Sequence, residues 1–325
     1  MATLKVVGDG LAANLFIHYF KRLAPNTKLI QLVDNRFSSN ASLNSTAIVA
    51  MRNVPRNLSY FGDLLVDAFE EMENFLKKNS EFEVNETTHY QISSDDDEDF
   101  HRRFQGVNLS KTHPLFNLFS NEQSFRENGY LFEPKSFLNQ LKKENNSTRV
   151  ESFLDEPLKL RDGEFCVYCL GANMANFFSL SDKSFISGKK VMGSYLETDY
   201  TGFNESVCMT YYTINLVYRK SDSKLIIGAA NSVDYLTGDA LTDLKNKYEK
   251  VLKLFQRSNL ELPPFESFTL HSGIRHKSRK RMPSWGPLNI ERSFQISGLY
   301  KNGYSFAFLA AKRLSEVIND EIKRS

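Results

Sequence analysis

Apolar positions along this chain alternate between short β-like runs and stripes at helical spacing. LKVV (4–7) reads as a strand, and Leu15, Phe16, Tyr19, Phe20 and Leu23 then recur on one helical face until Pro25 and Asn26 end the helix. KLIQLVD (28–34) is a second β-run, so the first 34 residues predict a β-α-β unit. Leu64, Leu65, Phe69, Met72 and Phe75 predict a long amphipathic helix over about 59–78. YLFEPKSFLNQLK (130–142) predicts a turn and a helix entered through Pro134, and TRVESF (148–153) and EFCVYCLGAN (164–173) predict strands. The stretch from about 188 to 230 is rich in alternating strand patterns, which predicts an antiparallel sheet with one covered face. Residues 241–256 form an amphipathic helix, and FQISGLYKNGYSF leads into a last helix through Leu309, Leu314, Val317 and Ile318. The chain has no internal repeat and no low-complexity linker.

Composition narrows the field. With 325 residues, 41% of them hydrophobic and 25% charged, there is enough material for one large domain or two joined ones. A net charge of +2 argues against a protein that coats nucleic acid or anionic membrane. No apolar run approaches the roughly 18–20 residues a bilayer requires. The apolar start MATLKVVGDGLAANLF lacks a basic leader region and carries glycines at fixed offsets, so it is expected to be structural. Cys166, Cys169 and Cys208 make no disulfide framework, which leads us to expect the reducing cytoplasm. The C-x-x-C spacing lies within a strand, whose odd offset puts the two thiols on opposite faces, so buried cysteines are expected rather than a metal or redox pair. The acidic run SSDDDEDF (93–100) lacks the glycine and terminal Glu of a calcium loop; Ser94 is expected to cap a helix with Asp95 to Asp99 in its first turn. No metal site is expected.

Two motifs carry chemistry. VVGDGLAA supplies Gly8, Gly10 and Ala13 as G-x-G-x-x-A between strand and helix, with Asp34 closing the second strand about 20 residues later. Gly8 allows the tight turn, Gly10 lets a diphosphate approach the backbone, and Ala13 lets the helix pack close; free helical N–H groups then face the phosphates. The second motif is GIRHKSRKRMPSWG (273–286), which concentrates Arg275, Lys277, Arg279, Lys280 and Arg281.

The whole sequence resembles the D-amino-acid oxidase superfamily of FAD-dependent oxidoreductases, including glycine oxidase, and the oxidoreductase domain of the bifunctional enzyme that builds methylaminomethyl groups on tRNA wobble uridine. The resemblance rests on the fingerprint ending at Asp34, on ASLNSTAIVAM (41–51), on YCLGAN (168–173), on GIRHKSRKRMPSWG and on SGLYKNGYSF (297–306). Lys280 stands where the family usually has Asp, Leu299 where it has His, and Ser194 where it has Gln.

The resemblance implies an α/β (α+β) fold: a Rossmann-like FAD-binding domain of the glutathione-reductase type (1–88, 130–182, 269–325) and an antiparallel-sheet substrate domain (89–129, 183–268). It implies FAD held by Gly8, Gly10, Ala13, Asp34, Ser42, Asn44, Val150, Gly171, Lys301, Asn302 and Gly303. Arg275 is the expected ligand of a substrate carboxylate, because its planar fork holds both oxygens, and Tyr211 or Tyr212 is expected to line the substrate side. His276 is expected to be exposed or structural. The expected reaction is oxidation of a glycine-like amine by hydride transfer to the flavin. Alternatives are modification of wobble uridine with tRNA as partner, or a flavoprotein partner without free small-molecule turnover. The rest of the basic row is open to three readings: a solvated loop, a dock for a polyanion, or charge neutralising the cofactor.

Overall fold

The computed structural model describes residues 2–37, 41–51, 54, 56–94, 98, 122–178, 188–230, 233–234, 239–258, 260–278 and 281–325. Two sheets organise them.

In the first sheet, β1 (Thr3–Val7), β2 (Lys28–Val33), β6 (Thr148–Glu151), β7 (Glu164–Tyr168), β14 (Ser284–Pro287) and β15 (Ser293–Ser297) lie in the order β14-β15-β7-β1-β2-β6. All neighbours are parallel except β14 with β15. Parallel strands are covered on both faces, and here Leu4, Val6 and Val7 of β1 are all buried. One face packs on α1 (Leu11–Leu23), α2 (Tyr60–Lys78), α3 (Pro134–Asn145) and α5 (Gly303–Arg324) in a shared core that includes Phe16, Phe20, Phe75, Phe137 and Phe308.

The helices begin where local chemistry allows. Ser59 Oγ accepts the Gly62 N–H at 3.0 Å to start α2. Pro134 opens α3 behind a Glu133 carboxylate that accepts the Lys135 and Ser136 N–H groups. Asp239 does the same for Leu241 and Thr242 at the start of α4 (Ala240–Arg257).

The second sheet holds nine strands: β3 (Ile48–Ala50), β4 (Asn85–Ser94), β5 (Glu122–Leu131), β8 (Gly188–Asp199), β9 (Val207–Tyr211), β10 (Ile214–Arg219), β11 (Lys224–Gly228), β12 (Val233–Asp234) and β13 (Thr269–Ser278). It is antiparallel except for the parallel pair β4–β9. α4 covers one face, where Val207, Met209 and Leu216 meet Leu244, Tyr248 and Val251. The opposite face carries Leu131, Tyr195, Cys208 and Val217.

Sheet membership shifts the expected boundaries. β3 and β13, assigned by sequence to the cofactor domain, hydrogen-bond into the second sheet; β13 pairs with β8 from Thr269↔Glu197 to Ser278↔Gly188. Ser94 ends a strand rather than capping a helix, because β4 and β5 pair through Ser94↔Glu122. Asp95 to Asp97 and Asp99 lie outside the described residues. No helix among the described residues is long and apolar enough to cross a membrane.

Candidate functional site

A cleft of about 340 Å³ runs between the two sheets. Its floor begins at Gly8–Ala12, where β1 turns into α1, with Asp34 and Asn35 beside it at the end of β2. Gly8 is required by position: its φ is +129°, and a Cβ there would stand 2.5 Å from the Cys169 carbonyl oxygen. Two buried amides hold the loop. Gln31 Nε2 donates to the Gly8 carbonyl at 2.9 Å, and Asn14 Nδ2 donates to the carbonyls of Asp9 (3.1 Å) and Gly10 (2.9 Å). Ala13 does not line the cleft; it is fully buried beneath the loop, as close helix–sheet packing requires.

Segment 41–45 lines the cleft beside this turn. Ser42 Oγ accepts the Leu11 N–H at 3.1 Å, and the Ser42 carbonyl accepts the Tyr304 hydroxyl at 2.8 Å. Ser42 therefore links the N-terminal ends of α1 and α5. Asn44 faces the β13 side, where a Cβ on Gly273 would lie 3.1 Å from the Asn44 Cβ. Gly171 lines the wall with φ +55° and open space around it.

Asp34 is placed as expected but is already engaged. Its carboxylate pairs with Arg36 at 2.6 Å and accepts the Leu154 N–H at 2.9 Å, with its side chain fully shielded from solvent. The Arg36 hydrogen bonds, aided by backbone N–H groups and opposed by burial, hold it down at about 2. Val150, on the edge strand β6, is 42% exposed and does not line the cleft.

The far end is built by β13 and the turn before α5, with β8 behind Arg275. Arg275 is half-buried, and its guanidinium lies across Gly193 of β8: a Cβ at Gly193 would meet Arg275 Cζ at 2.5 Å. Burial lowers the Arg275 pKa, with Tyr300 acting in the opposite direction; an arginine remains charged regardless. Tyr300 sits at φ +48°, with the Lys277 ammonium 5.5 Å and the Lys301 ammonium 5.8 Å from its ring centre. Lys301 and Gly303 line the cleft; Asn302 does not, but it stands at the N-cap of α5 without a side-chain capping bond, leaving backbone N–H groups directed there. His276 is not exposed: it is buried against Gly188, and burial drops its pKa to about 4.

Three expectations need correction. Tyr211 shares its face with Val207 and Met209 and packs against the core that α4 covers. Tyr212 is 47% exposed at the β9–β10 turn. Neither lines the cleft, because strand alternation fixes the two faces while the position of α4 decides which is covered. In the rest of the basic row, Lys277 lies against Tyr300, which the solvated-loop reading did not provide for. Arg281 is exposed, and Arg279 and Lys280 lie outside the described residues.

Sequence reasoning missed Asp9, Lys142 and Tyr300. Asp9 was legible as a charge inside the glycine motif; Lys142 became visible only when α3 was placed beside it. All three cysteines are buried, and burial pushes the Cys166 thiol up to about 12.

No family model matches the sequence, and no curated protein matches it by sequence. Solved structures do match by fold. Iminodiacetate oxidase from Chelativorans sp. BNC1 superposes with a TM-score of 0.75 at 13% identity, covering 97% of this chain and 95% of that one. Glycine oxidase from Geobacillus kaustophilus gives 0.72 at 13% identity, covering 100% and 96%. L-proline dehydrogenase from P. horikoshii gives 0.74 at 13% identity, covering 98% and 94%. Over essentially its whole length, the chain has the fold of these amine and amino-acid oxidoreductases, as the resemblance in its sequence implied.

Proposed function

We propose that the protein is an FAD-dependent oxidoreductase acting on a small amine or amino acid that carries a carboxylate. The observation that carries this reading is one continuous cleft joining a G-x-G-x-x-A turn at one end to Arg275 at the other. The residues present suit the cofactor. Gly8–Ala12 offer a helix N-terminus to the diphosphate, Ser42 and Gly171 line the path, and the N-terminal N–H groups of α5 favour negative charge at the far end. A role for Asp34 at the ribose requires it to share a carboxylate already bonded to Arg36 and Leu154. Val150 and Asn302 act, if at all, through their neighbours in β6 and at the start of α5.

FAD held by these residues would supply the acceptor for the hydride that leaves the substrate's α-carbon. The chain supplies position and field. Arg275 takes the substrate carboxylate in a bidentate fork, fixing which carbon faces the cofactor. Gly193 gives the guanidinium its seat. Lys277 and Lys301 add positive charge around Tyr300, which favours an anionic substrate over a neutral amine. The imine left by loss of a hydride and a proton hydrolyses in water without help from the protein. Docking of tRNA draws no support from Arg275 or Lys277, which lie against Gly193 and Tyr300.

The test is the spectrum of the purified protein, followed by anaerobic titration with glycine, N-substituted glycines and proline. A yellow protein bleached by one of these, and bleached far more slowly as Arg275→Lys, is the expected result. Loss of a bidentate charged contact costs about 2–5 kcal/mol. A colourless protein that takes up no FAD, or an Arg275→Ala variant reduced as fast as wild type, overturns the reading.

A further inference from the structure

The residue between the two glycines of the loop is a carboxylate. Asp9 lines the cleft beside the start of α1, where the proposed function seats a diphosphate. An anion at that point opposes the ligand by like-charge repulsion. Nor is Asp9 neutral: burial works to raise its pKa, but the hydrogen bonds and charges of Arg149 and Lys142 outweigh it and the net shift is downward.

The carboxylate is held from two sides. Lys142 Nζ of α3 lies 2.6 Å from Oδ2, and Arg149 Nη1 of β6 lies 2.9 Å from Oδ1. All three side chains stay open to solvent, at 25% for Asp9, 24% for Lys142 and 40% for Arg149. Asp9 and Lys142 line the cleft; Arg149 does not, and reaches it through its bond to Asp9. The shape of the loop is secured mainly through its backbone carbonyls, by Gln31 and Asn14. Gln31 Nε2 also reaches Asp9 Oδ1, but only at 3.5 Å, so the short contacts of the Asp9 carboxylate are the two to the cations.

We propose that Asp9, Lys142 and Arg149 form a counter-ion exchange site that sets cofactor affinity: Asp9 occupies the two cations until the diphosphate of the dinucleotide competes for them. Asp9 thus weakens cofactor binding, while Lys142 and Arg149 strengthen it. Together the three groups carry a charge of about +1; removing Asp9 raises it to about +2, against a diphosphate that carries about two negative charges. This inference rests on the FAD reading above.

The test is titration of the apoprotein with FAD, followed by quenching of flavin fluorescence at about 0.05 M and about 0.5 M salt. Asp9→Asn should bind about tenfold more tightly at low salt, with the gain shrinking at high salt, where exposed charges are screened. Lys142→Met and Arg149→Met should each bind about tenfold more weakly at low salt. An Asp9→Asn protein that melts like wild type but binds FAD equally or more weakly overturns the proposal. So does unchanged affinity in Lys142→Met, which decides the matter if Asp9→Asn does not fold. If wild type binds no FAD at all, the cofactor reading falls and takes this inference with it. If wild type binds and the variant series is flat, only the exchange site falls.

Discussion

The two ends of the cleft are built in opposite ways. At the glycine-loop end, one segment of some 30 residues supplies β1, the turn, α1 and β2, and the loop is pinned by its own neighbours Gln31 and Asn14. At the Arg275 end, the wall comes from β13 and the turn before α5, and Gly193 of β8, about a hundred residues earlier in the chain than that turn, backs the guanidinium. There the guanidinium has a seat only because Gly193, on a different strand, lacks a side chain. The first end depends on backbone geometry and the second on what neighbouring strands leave empty. Damage to the first should remove the cofactor, whereas damage to the second should leave the cofactor bound and spoil its reduction.

The largest break is expected at Gly8. Any side chain there meets the Cys169 carbonyl at 2.5 Å, a backbone atom that cannot swing away, on a residue with φ +129°. Gly8→Ala should cost about 3 kcal/mol or more from strain and overpacking combined. The expected outcome is a protein purified without flavin and with a clearly lowered melting temperature. Retention of both would show that the turn relaxes in a way its neighbours do not suggest.

Gly193→Ala probes the other end. The new methyl group would meet Arg275 Cζ at 2.5 Å and Nε and Nη2 at 2.7 Å, but these are the far end of a flexible side chain and can shift. The fold and the bound FAD should survive. Reduction of the flavin by substrate should fall roughly tenfold to a hundredfold, as expected when a positioning group moves by about an ångström. Equal loss of FAD content would erase the distinction between the two ends.

The contrast also explains what could be read from the sequence. The β-α-β unit was legible because period and punctuation are local: LKVV, the glycines and KLIQLVD stand in one window, and β1, α1 and β2 form there. Resemblance pointed to the place of Arg275 at the cleft and to the helix that follows Lys301, while the role of Arg275 stays a proposal. Tyr211 was not, because alternation says that Tyr211 and Thr210 face apart without saying which side α4 covers. The ion pairs of Asp9 were out of reach for the same reason, since Lys142 and Arg149 are more than 130 positions further along the chain. Asp34 gives a subtler case. Its place at the end of β2 was foreseen, but Arg36, two residues on, takes the carboxylate that was expected to be open.

That pairing has a measurable pH signature. Asp34 drops from an ordinary 3.8 to about 2 in the folded state. A depressed carboxyl stabilises the fold above its unfolded pKa, and the gain is lost as pH falls through the folded one. Stability should therefore decline between about pH 4 and pH 2, with Asp34 accounting for on the order of 2 kcal/mol of the loss. Denaturant midpoints measured across that window should flatten in Asp34→Asn, which has no charge to lose. An unchanged slope in the variant would mean that other carboxylates set the acid limit.

The smallest effect is expected where the two ends meet. The Tyr304 hydroxyl donates to the Ser42 carbonyl at 2.8 Å, while Ser42 Oγ accepts the Leu11 N–H at 3.1 Å. One serine thus fastens α5, at the Arg275 end, to α1, at the glycine-loop end. Tyr304→Phe keeps the buried ring, which packs on Phe132 at 5.2 Å, and deletes only the hydroxyl. The lost hydrogen bond leaves the Ser42 carbonyl without this donor and should cost about 1 kcal/mol. Because segment 41–45 lines the cleft, part of that cost should appear as a few-fold weaker affinity for FAD rather than only as a lower melting temperature. Titration of the apoprotein with FAD, alongside thermal denaturation without it, separates the two contributions. A drop in melting temperature with FAD affinity unchanged would confine the bond to holding the helix, and the two ends of the cleft would then be coupled by packing alone.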